Sequence, residues 1–562
     1  MSKLVKETQE TLKQKIEAAM RSAVAAGDLP EAELPAFIIE RPADKKNGDF
    51  STNAAMAGAR AFRMAPRMIA EAITAHLQLE DTLFERAEIA GPGFINFFLS
   101  QDYYAEIVED VLAAGDSYGS SDYGEGKKVI VEFVSANPTG PMHIGNARGG
   151  AIGDCLAAVL EKAGYSVWRE FYVNDAGNQI EKFATSLEVR YLQACGQDIA
   201  MPEDAYHGAD ITEHAENFKE AYGAAYADTD SETRRKALVD YALPKNIAGL
   251  ERDLKAYRIV YDNWFRESAV HQSGAVDAVI EALKAKGVTY EKDGALWFKA
   301  SEYGNDKDIV LIRANGLPTY IVPDIAYHYN KLVTRGFDKA IDVLGADHHG
   351  YVPRMKAALT ALGIDADRLD CVIMQMVRLV RDGETIKLSK RSGKAITLNT
   401  LLEEIPIDAA RFFFNLREPN SHFDFDLELA AKQSSDNPVY YVQYAHARIC
   451  SILRRAAEQG VTLGEPQLET LRLLNTEEER DLIAHLSMLT DEIVAAAVQY
   501  DPARITHYVT QLATLFHKFY NAQRVMCEDA RLTEARLYLC TAVKNTIRNI
   551  LTMLKIEAPE SM

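Results

Sequence analysis

At the start of the chain, apolar positions recur every three or four residues, which is the spacing of one helix face. The positions that share this spacing are Leu4, Thr8, Leu12, Ile16, Ala19 and Ala23. The pattern predicts an amphipathic helix that ends near Gly27. Short strand-like stretches follow as far as AEIAGPGFINFFLS, and then a helix and the turn-rich AAGDSYGSSDYGEGKK. We predict an N-terminal α+β domain over residues 1–120.

A strand–helix–strand order begins after residue 120. KKVIVEFVSANPTG contains a β-branched strand, IGDCLAAVLEKAG a helix and YSVWREFYV a second strand, the order of a βαβ unit. Polar, helix-prone sequence interrupts the pattern, which resumes with DIVLIRANGLPTYIVPDIAYHYNKL and KAIDVLGADHHGYVPRMKAAL. We predict an α/β nucleotide-binding domain over residues 121–430, with an insertion at about 186–297.

Beyond residue 430 the strand pattern ceases and helical faces take over. One face consists of Ile505, Val509, Leu512, Phe516 and Phe519, and another of Val543, Ile547, Ile550 and Leu554. These faces predict an all-α helical bundle over residues 431–562.

Composition limits the classes of protein that fit. The net charge of −20 over 562 residues argues against wholesale wrapping by nucleic acid but leaves room for a local basic track. The six cysteines lie far apart with no C-x-x-C pair, so neither a zinc knuckle nor a disulfide framework is indicated. The first residues are charged throughout and no apolar run is long enough to span a bilayer, so we expect a cytoplasmic protein without membrane contact.

The stretch SANPTGPMHIGNARGG, residues 135–150, joins the first strand of the βαβ unit to its helix. Gly140 and Gly145 let the backbone approach a ligand, and the helix N-terminus that follows offers unpaired N–H groups to an anion. His143 and Asn146 can donate hydrogen bonds to the same phosphate. The alternative is an ordinary strand-to-helix turn with a capping asparagine.

A second polar segment, GETIKLSKRSGKAITL, places Lys387, Ser389 and Lys390 between glycines. By itself it also fits a solvated basic loop. However, two phosphate-seeking segments about 240 residues apart bracket one α/β region, and this arrangement suits a reaction at an α-phosphate.

These segments resemble the class I aminoacyl-tRNA synthetases. HIGN is similar to their HIGH signature, with Asn146 in place of the second histidine, and KLSKR is similar to their KMSKS loop, with Leu388 for methionine. Within the class the chain resembles the bacterial-type arginyl-tRNA synthetases over essentially its whole length. The segments that carry this likeness are VEFVSANPTGPMHIGNARGGAIGD, LPTYIVPDIAYH, GADHHGYVPRMKAAL and NPVYYVQYAHARI.

The resemblance implies a Rossmann-like catalytic domain and an ATP-dependent reaction in two steps. The arginine carboxylate attacks the α-phosphate and releases pyrophosphate, and the terminal adenosine of tRNA(Arg) then takes the arginyl group. The residues implied as catalytic, acting with Mg²⁺ on the phosphate charge, are His143, Asn146, Lys387 and Lys390. Those implied to bind ATP are Pro138, Gly140, His143, Gly145, Asn146, Gly345, Asp347, Lys387, Ser389 and Lys390.

A guanidinium substrate calls for carboxylate partners. Tyr320 and Asp324 are four residues apart and Glu132 precedes the glycine-rich loop, so these three side chains could line one pocket. The arginine-binding residues that the resemblance implies are Glu132, Ser135, Asn137, His143, Tyr320, Asp324 and, more loosely, His348. Asp324 could instead cap a helix, and Asp347, His348 and His349 could instead bind a metal. We expect no protein-bound metal, since no third spaced ligand is evident.

The bundle begins with tyrosines interleaved with basic residues. Proteins use this mixture to bind single-stranded RNA loops, because aromatic rings stack on bases and cations bind phosphates. A buried aromatic helix face is the alternative. The resemblance implies that the bundle reads the anticodon and that the N-terminal domain touches the D-loop. The residues predicted to contact tRNA are Asn96, Tyr440, Tyr441, Tyr444 and Arg448. We expect a monomer.

Two other functions fit parts of the sequence. A small-molecule nucleotidyltransferase of the HIGH superfamily would not need the C-terminal bundle. A catalytically inactive tRNA-binding relative would not need His143, Lys387 and Lys390.

Overall fold

The structure is a computed structural model, and it describes residues 3–42, 44–386 and 396–562. The predicted sites Lys387, Ser389 and Lys390 lie outside the described residues. The first elements are α1 (Lys3–Ala26), β1 (Ile39–Glu40), β2 (Phe50–Thr52), α2 (Ala54–Phe62), α3 (Pro66–Ala75), β3 (Phe84–Ala90), β4 (Phe94–Leu99) and α4 (Gln101–Ala114).

The N-terminal region is an antiparallel sheet in the order β1-β2-β4-β3, packed with helices. Helix α1 buries Leu12, Ile16 and Ala23 and ends at Ala26, and Gly27 follows with a φ of 83°. The predicted amphipathic helix and its end are therefore confirmed. Its glycine stop works because only glycine adopts a positive φ at little cost.

A five-stranded parallel sheet in the order β12-β11-β5-β6-β7 forms the centre of the chain. Its strands and the helices between them are β5 (Lys128–Glu132), α5 (Ile144–Lys162), β6 (Ser166–Val173), α6 (Asn178–Ala194), α7 (Ala209–Tyr222), α8 (Ser231–Ala256), β7 (Asn263–Arg266), α9 (Glu267–Gln272), α10 (Ala275–Ala285), β8 (Thr289–Lys292), β9 (Ala295–Phe298), β10 (Ile309–Ile312), α11 (Ile321–Tyr329), β11 (Lys339–Gly345), α12 (Tyr351–Leu362) and β12 (Leu369–Met374). The predicted Rossmann-like βαβ order is confirmed at β5-α5-β6.

The predicted insertion differs from the structure in one respect. Helices α6, α7 and α8 form an aromatic core of their own, as expected of an inserted unit, but β7 then returns to the parallel sheet beside β6. This strand lies inside the range 186–297 that the sequence assigned to the insertion. Its four residues are too few to show a strand periodicity. Strands β8 to β10 form a separate antiparallel sheet in the order β10-β9-β8.

The last elements join a small mixed sheet, in the order β14-β13-β15, to a helical bundle. They are β13 (Val377–Arg381), β14 (Glu384–Thr385), α13 (Leu398–Glu404), α14 (Ile407–Phe414), β15 (Phe423–Asp426), α15 (Leu427–Ala431), α16 (Pro438–Glu458), α17 (Leu468–Leu471), α18 (Glu477–Leu486), α19 (Leu489–Gln499), α20 (Ala503–Ala522) and α21 (Ala530–Met553). Both apolar faces predicted for the bundle are buried in α20 and at α21. None of the described helices has the length and apolarity of a membrane span.

One buried arginine ties the bundle to the central sheet. Arg411 on α14 is completely buried and donates to Asp154 on α5 (2.5 Å), to the Tyr257 carbonyl (3.0 Å) and to the Leu554 carbonyl after α21 (2.7 Å). The largest apolar core likewise runs through the N-terminal, central and C-terminal regions. The domain limits at residues 120 and 430 stay predictions, because the packing passes across them.

Replacing Arg411 with methionine should lower the free energy of unfolding by about 3 to 5 kcal/mol, because Asp154 would lose its closest buried cation. The midpoint of urea unfolding measures this change. Arg378→Met is the matched control, since Arg378 pairs with Asp424 where both side chains are more than half exposed, and it should cost at most about 1 kcal/mol. Equal effects of the two substitutions would contradict the role of the Arg411 pair.

Candidate active site

The candidate site lies at the carboxyl ends of β5 and β11, where the strand order of the parallel sheet reverses. From β5 the chain proceeds to β6 and β7 on one side, and from β11 to β12 on the other. Such a reversal leaves a crevice outside the sheet in which ligands bind. The loop with HIGN follows β5, and the segment GADHH follows β11, so the fold brings two of the predicted segments together.

The chain leaves β5 through a strained turn. Val134 and Ser135 have φ angles of 69° and 40°, and the Ser135 N–H donates to the Phe133 carbonyl (3.0 Å) in a tight γ-turn. A positive φ is rare for a β-branched residue, and such strain concentrates at functional sites. The Ser135 hydroxyl donates to Glu132 (2.9 Å) and accepts from the Tyr172 N–H (3.1 Å), which holds the turn against β6.

His143 and Asn146 begin helix α5 as a reciprocal cap. The His143 ring accepts from the Gly145 N–H (3.1 Å), and the Asn146 side-chain oxygen accepts from the His143 N–H (3.1 Å). A Cβ at Gly145 would lie 3.0 Å from the His143 ring, so the glycine makes room for this cap. The ordinary capping turn is thus present, and Asn146 keeps an amide NH₂ that donates to no described residue.

Several glycines of this segment serve helix packing rather than ligand approach. A Cβ at Gly153 would lie 2.2 Å from the Phe133 ring, and one at Gly150 would lie 2.7 Å from Ile259. These glycines let α5 sit directly on the strained turn. At Gly140 a Cβ would meet nothing closer than 3.6 Å, so that glycine is not required by packing in the chain itself.

The last residues of the lysine-rich segment, Thr397 and Leu398, lie beside His143 and Met142. Thr397 forms a β-bridge with His143, and the Leu398 N–H donates to the Met142 carbonyl (2.9 Å). The chain that follows the predicted Lys387, Ser389 and Lys390 is therefore fixed to the start of α5.

Asp324 lies one turn inside α11 and is not its cap. The helix begins at Ile321 with Tyr320 at the cap position and without a side-chain capping bond, so the alternative of a capping role is wrong. Asp324 is half-buried, and no described donor hydrogen-bonds to its carboxylate. Burial raises its pKa to about 7, Glu267 and Glu132 add to the shift, and His328 opposes it.

A buried ion network lies below Asp324. Lys331 is completely buried between Glu132 (2.5 Å) and Asp342 (2.8 Å), and Asp342 also contacts His328 Nε2 (2.7 Å). His328 Nδ1 lies 2.8 Å from the Asp324 carbonyl. Both ring nitrogens of His328 face oxygen atoms, one of the Asp342 carboxylate and one of the Asp324 carbonyl. Glu132 and Asp342 therefore both have partners in this network, whereas the Asp324 carboxylate has none among the described residues.

Sequence reasoning missed Lys331, Asp342 and His328. The signal was present, because His328 and Lys331 follow Asp324 at helical spacing and Asp342 interrupts the apolar strand KAIDVLG. Lys331 itself lies in a π-helical turn, residues 330–334, that continues α11. Such turns often mark functional sites.

The other predicted site residues differ in how exposed they are. Tyr320 is 73% exposed, and Asn137 is also exposed. Pro138 is buried, and its carbonyl accepts from Asn246 of α8 (2.9 Å), so the inserted helices hold this loop. Gly345 ends β11.

Asp347 and His348 are exposed and lie 3.1 Å apart in a short turn after β11. Among the described residues no three His, Cys, Asp or Glu side chains are arranged to hold a metal ion.

The predicted tRNA contacts divide into two groups. Tyr440, Tyr441, Tyr444 and Arg448 lie together on α16: the rings of Tyr440 and Tyr444 are near-parallel, and Arg448 lies over the Tyr444 ring and donates to its hydroxyl (2.8 Å). Asn96 is different. It is 4% exposed and accepts from the Ser51 hydroxyl (2.8 Å), so the structure corrects its assignment from an RNA contact to a buried sheet residue.

Replacing Asp324 with asparagine should stabilise the ligand-free protein at high pH. The pKa of Asp324 rises from its ordinary 3.8 to about 7 on folding, so the wild-type protein binds this proton more tightly when folded and loses stability as pH rises from about 4 to 7. We expect Asp324→Asn to melt above the wild type at pH 8, and the difference to vanish near pH 4. Melting temperatures across this range measure it.

Asp436→Asn is the matched control, since the Asp436 side chain is 69% exposed beside Lys432. It should shift the melting temperature little at either pH. A lower melting temperature for Asp324→Asn at pH 8 would show that this carboxylate has a stabilising partner.

Three family models match successive parts of the chain: the arginyl tRNA synthetase N terminal domain over residues 9–99, the class I tRNA synthetase (R) catalytic domain over 107–448, and the DALR anticodon binding domain over 442–562.

Individual relatives match over the full length. The chain is 53% identical to the arginine–tRNA ligase of Caldanaerobacter subterraneus and 50% identical to that of Acetivibrio thermocellus, with all of both chains covered in each case. The structure of Thermus thermophilus arginyl-tRNA synthetase shares the fold, with a TM-score of 0.74 at 23% identity over 99% of this chain and all of that one. With its crevice, its α5 cap and its aromatic C-terminal face, the chain belongs to the arginyl-tRNA synthetase family of class I.

Proposed function

We propose that the protein attaches L-arginine to tRNA(Arg) in an ATP-dependent reaction through an arginyl-adenylate. The proposal rests on one observation, which is that the carboxylate of Asp324 has no hydrogen-bond donor among the described residues. This carboxylate lies at the strand-order reversal, and the carboxylates of the network beneath it already have partners. A guanidinium supplies both the missing charge and paired N–H donors to such a carboxylate.

Glu132 contributes to the pocket in a different way from Asp324. Its two oxygens already accept from Ser135 and from Lys331. Glu132 therefore offers remaining lone pairs rather than a free charge. In this arrangement Asp324 supplies the attraction, while Glu132 and Ser135 shape the wall on which the substrate is oriented.

The start of α5 is the site proposed for the ATP phosphates. Its first N–H groups and the positive end of the helix dipole favour an anion. The reciprocal cap holds the His143 ring by its Nδ1 atom and leaves the amide NH₂ of Asn146 as a donor. Since α5 packs on the strained turn after β5, phosphates at its N-terminus would lie close to an amino acid held at Asp324.

The chemistry proposed needs no covalent intermediate with the protein. The arginine carboxylate attacks the α-phosphorus and pyrophosphate leaves. A hydroxyl of the terminal tRNA adenosine then attacks the activated carbonyl and AMP leaves. The protein lowers the barrier by holding the reactants in line and by placing donors where phosphate charge develops. His143, Asn146, Lys387 and Lys390 are proposed for this role, and Thr397 fixes the end of the lysine-rich segment beside His143.

Mg²⁺ is proposed to enter with ATP. Magnesium ions commonly keep substrate phosphates and water among their ligands. The described residues offer no cluster of three acidic or histidine ligands, which suits an ion held chiefly by the nucleotide. A monomer stays our expectation for the free protein.

The C-terminal face favours a synthetase over the two alternatives. A small-molecule nucleotidyltransferase has no use for the near-parallel tyrosines and Arg448 on α16. A tRNA-binding protein without catalysis has no use for an unpaired carboxylate half-buried beside a helix N-terminus, because it costs stability.

Pyrophosphate exchange with arginine, ATP and tRNA(Arg) tests the function. We expect arginine-dependent exchange by the wild type. In Asp324→Asn the KM for arginine should rise at least thirtyfold, since removing one charge of a buried pair costs about 2 to 5 kcal/mol, while the KM for ATP changes little.

An inactive wild type would exclude the synthetase reaction, and exchange that ignores tRNA while accepting another acid would favour the nucleotidyltransferase. An unchanged KM for arginine in Asp324→Asn would remove Asp324 from the pocket. Asp436→Asn again serves as the exposed control.

Tyr444→Ala tests the RNA surface. Because one base stacked on an aromatic ring contributes about 1 to 3 kcal/mol, the Kd for a tRNA(Arg) transcript should rise between about fivefold and a hundredfold. Filter binding measures it, and Tyr123→Ala is the control, since Tyr123 is 50% exposed and no arginine of the described residues lies on its ring. If Tyr444→Ala binds tRNA as the wild type does, the surface on α16 is not a contact.

A further inference from the structure

Tyr172 lies between the strained turn after β5 and the helix that carries Asp324. It lies on β6, its N–H donates to the Ser135 hydroxyl (3.1 Å), and its register partner on β7 is Phe265. Its ring packs on Tyr327 of α11, with the ring centroids 4.6 Å apart. Tyr327 is three residues beyond Asp324, so Tyr172 contacts both the strained turn and the helix that carries the free carboxylate.

The hydroxyl of Tyr172 is buried without a hydrogen-bond partner. The residue is 9% exposed, and no described donor or acceptor lies within hydrogen-bonding distance of its oxygen. Most buried hydroxyls are paired, because an unpaired one forfeits its bonds to water. An unpaired buried hydroxyl therefore requires an explanation. One explanation is that a bound ligand forms the missing hydrogen bond with it.

The acidic groups around Tyr172 favour a ligand that carries a positive charge. Burial raises the pKa of Tyr172, and the nearby carboxylates Glu267, Asp324, Glu132 and Asp175 raise it further, so the phenol stays protonated.

Most of these carboxylates are already engaged. Asp175 accepts from the Ser268 N–H and hydroxyl (both 2.8 Å), Glu267 lies 3.6 Å from His271, and Glu132 binds Lys331. Among these groups, the Asp324 carboxylate and the Tyr172 hydroxyl have neither a hydrogen bond nor an ion pair to a described residue.

We propose that Tyr172 is a specificity-determining residue for arginine, whose hydroxyl accepts a hydrogen bond from the guanidinium that Asp324 binds. This inference rests on the proposed function. A guanidinium has five N–H donors, more than one carboxylate can satisfy, so a neutral acceptor beside the carboxylate pairs a donor that would otherwise be buried unpaired.

Tyr172→Phe removes the hydroxyl and keeps the ring. We expect the KM for arginine in pyrophosphate exchange to rise about ten- to hundredfold, the range for a lost hydrogen bond to a charged group. The KM for ATP should stay within about twofold. The melting temperature of the ligand-free variant should equal or exceed that of the wild type, because the hydroxyl has no partner there to lose.

Tyr257→Phe is the matched control, since the Tyr257 hydroxyl is also buried without a partner among the described residues, but its charged neighbours are Arg411 and Asp154 and not the carboxylates around Tyr172. This variant should leave both KM values unchanged. An unchanged KM for arginine in Tyr172→Phe would overturn the proposal. So would a lower melting temperature with equal rises in both KM values, which indicates a packing role. A wild type without arginine-dependent exchange would instead contradict the proposed function itself.

Discussion

The site depends on the complete burial of the Lys331 ammonium between two carboxylates. An ammonium cannot stay charged in a protein interior unless anions surround it, and Glu132 and Asp342 supply them from neighbouring strands. The pair fixes the end of β5 relative to β11 and to the end of α11. The strained turn follows β5 and Asp324 lies on α11. The positions of both therefore depend on this contact.

The same network explains why one carboxylate remains available. Lys331 and His328 are the partners of Glu132 and Asp342, and no described residue donates to the Asp324 carboxylate. The folded chain thus keeps a group whose charge is unfavourable until a cation arrives. This is a stability cost placed where binding can recover it, as expected of functional sites. The positive φ values at Val134 and Ser135 show a second cost of the same kind in the adjoining turn.

Periodic features could be predicted from the sequence and long-range pairings could not. The end of α1 at Gly27, the β5-α5-β6 unit and the buried faces of α20 and α21 follow from local spacing, which a single sequence displays. Strand β7 was missed because four residues display no period. Lys331 was missed for two reasons. Its partners Glu132 and Asp342 lie 199 and 11 residues away in the sequence. Buried lysines are also uncommon, so a lysine is assigned to the surface by default. Asn96 was misassigned because the assignment rested on family resemblance, which does not show that Ser51 donates a hydrogen bond to this side chain in the interior.

The bonds of Arg411 bear on how this chain can be recombined with its relatives. The guanidinium holds a carbonyl at the end of the final long helix and a carboxylate on the helix that begins with HIGN. A chimera that exchanges the C-terminal helical bundle at the apparent boundary would keep Arg411 but depend on a foreign chain to present the Leu554 carbonyl at the same point. A functional chimera therefore has to take Arg411, Asp154 and the residues around Leu554 from the same parent. We expect these parts of the chain to evolve together.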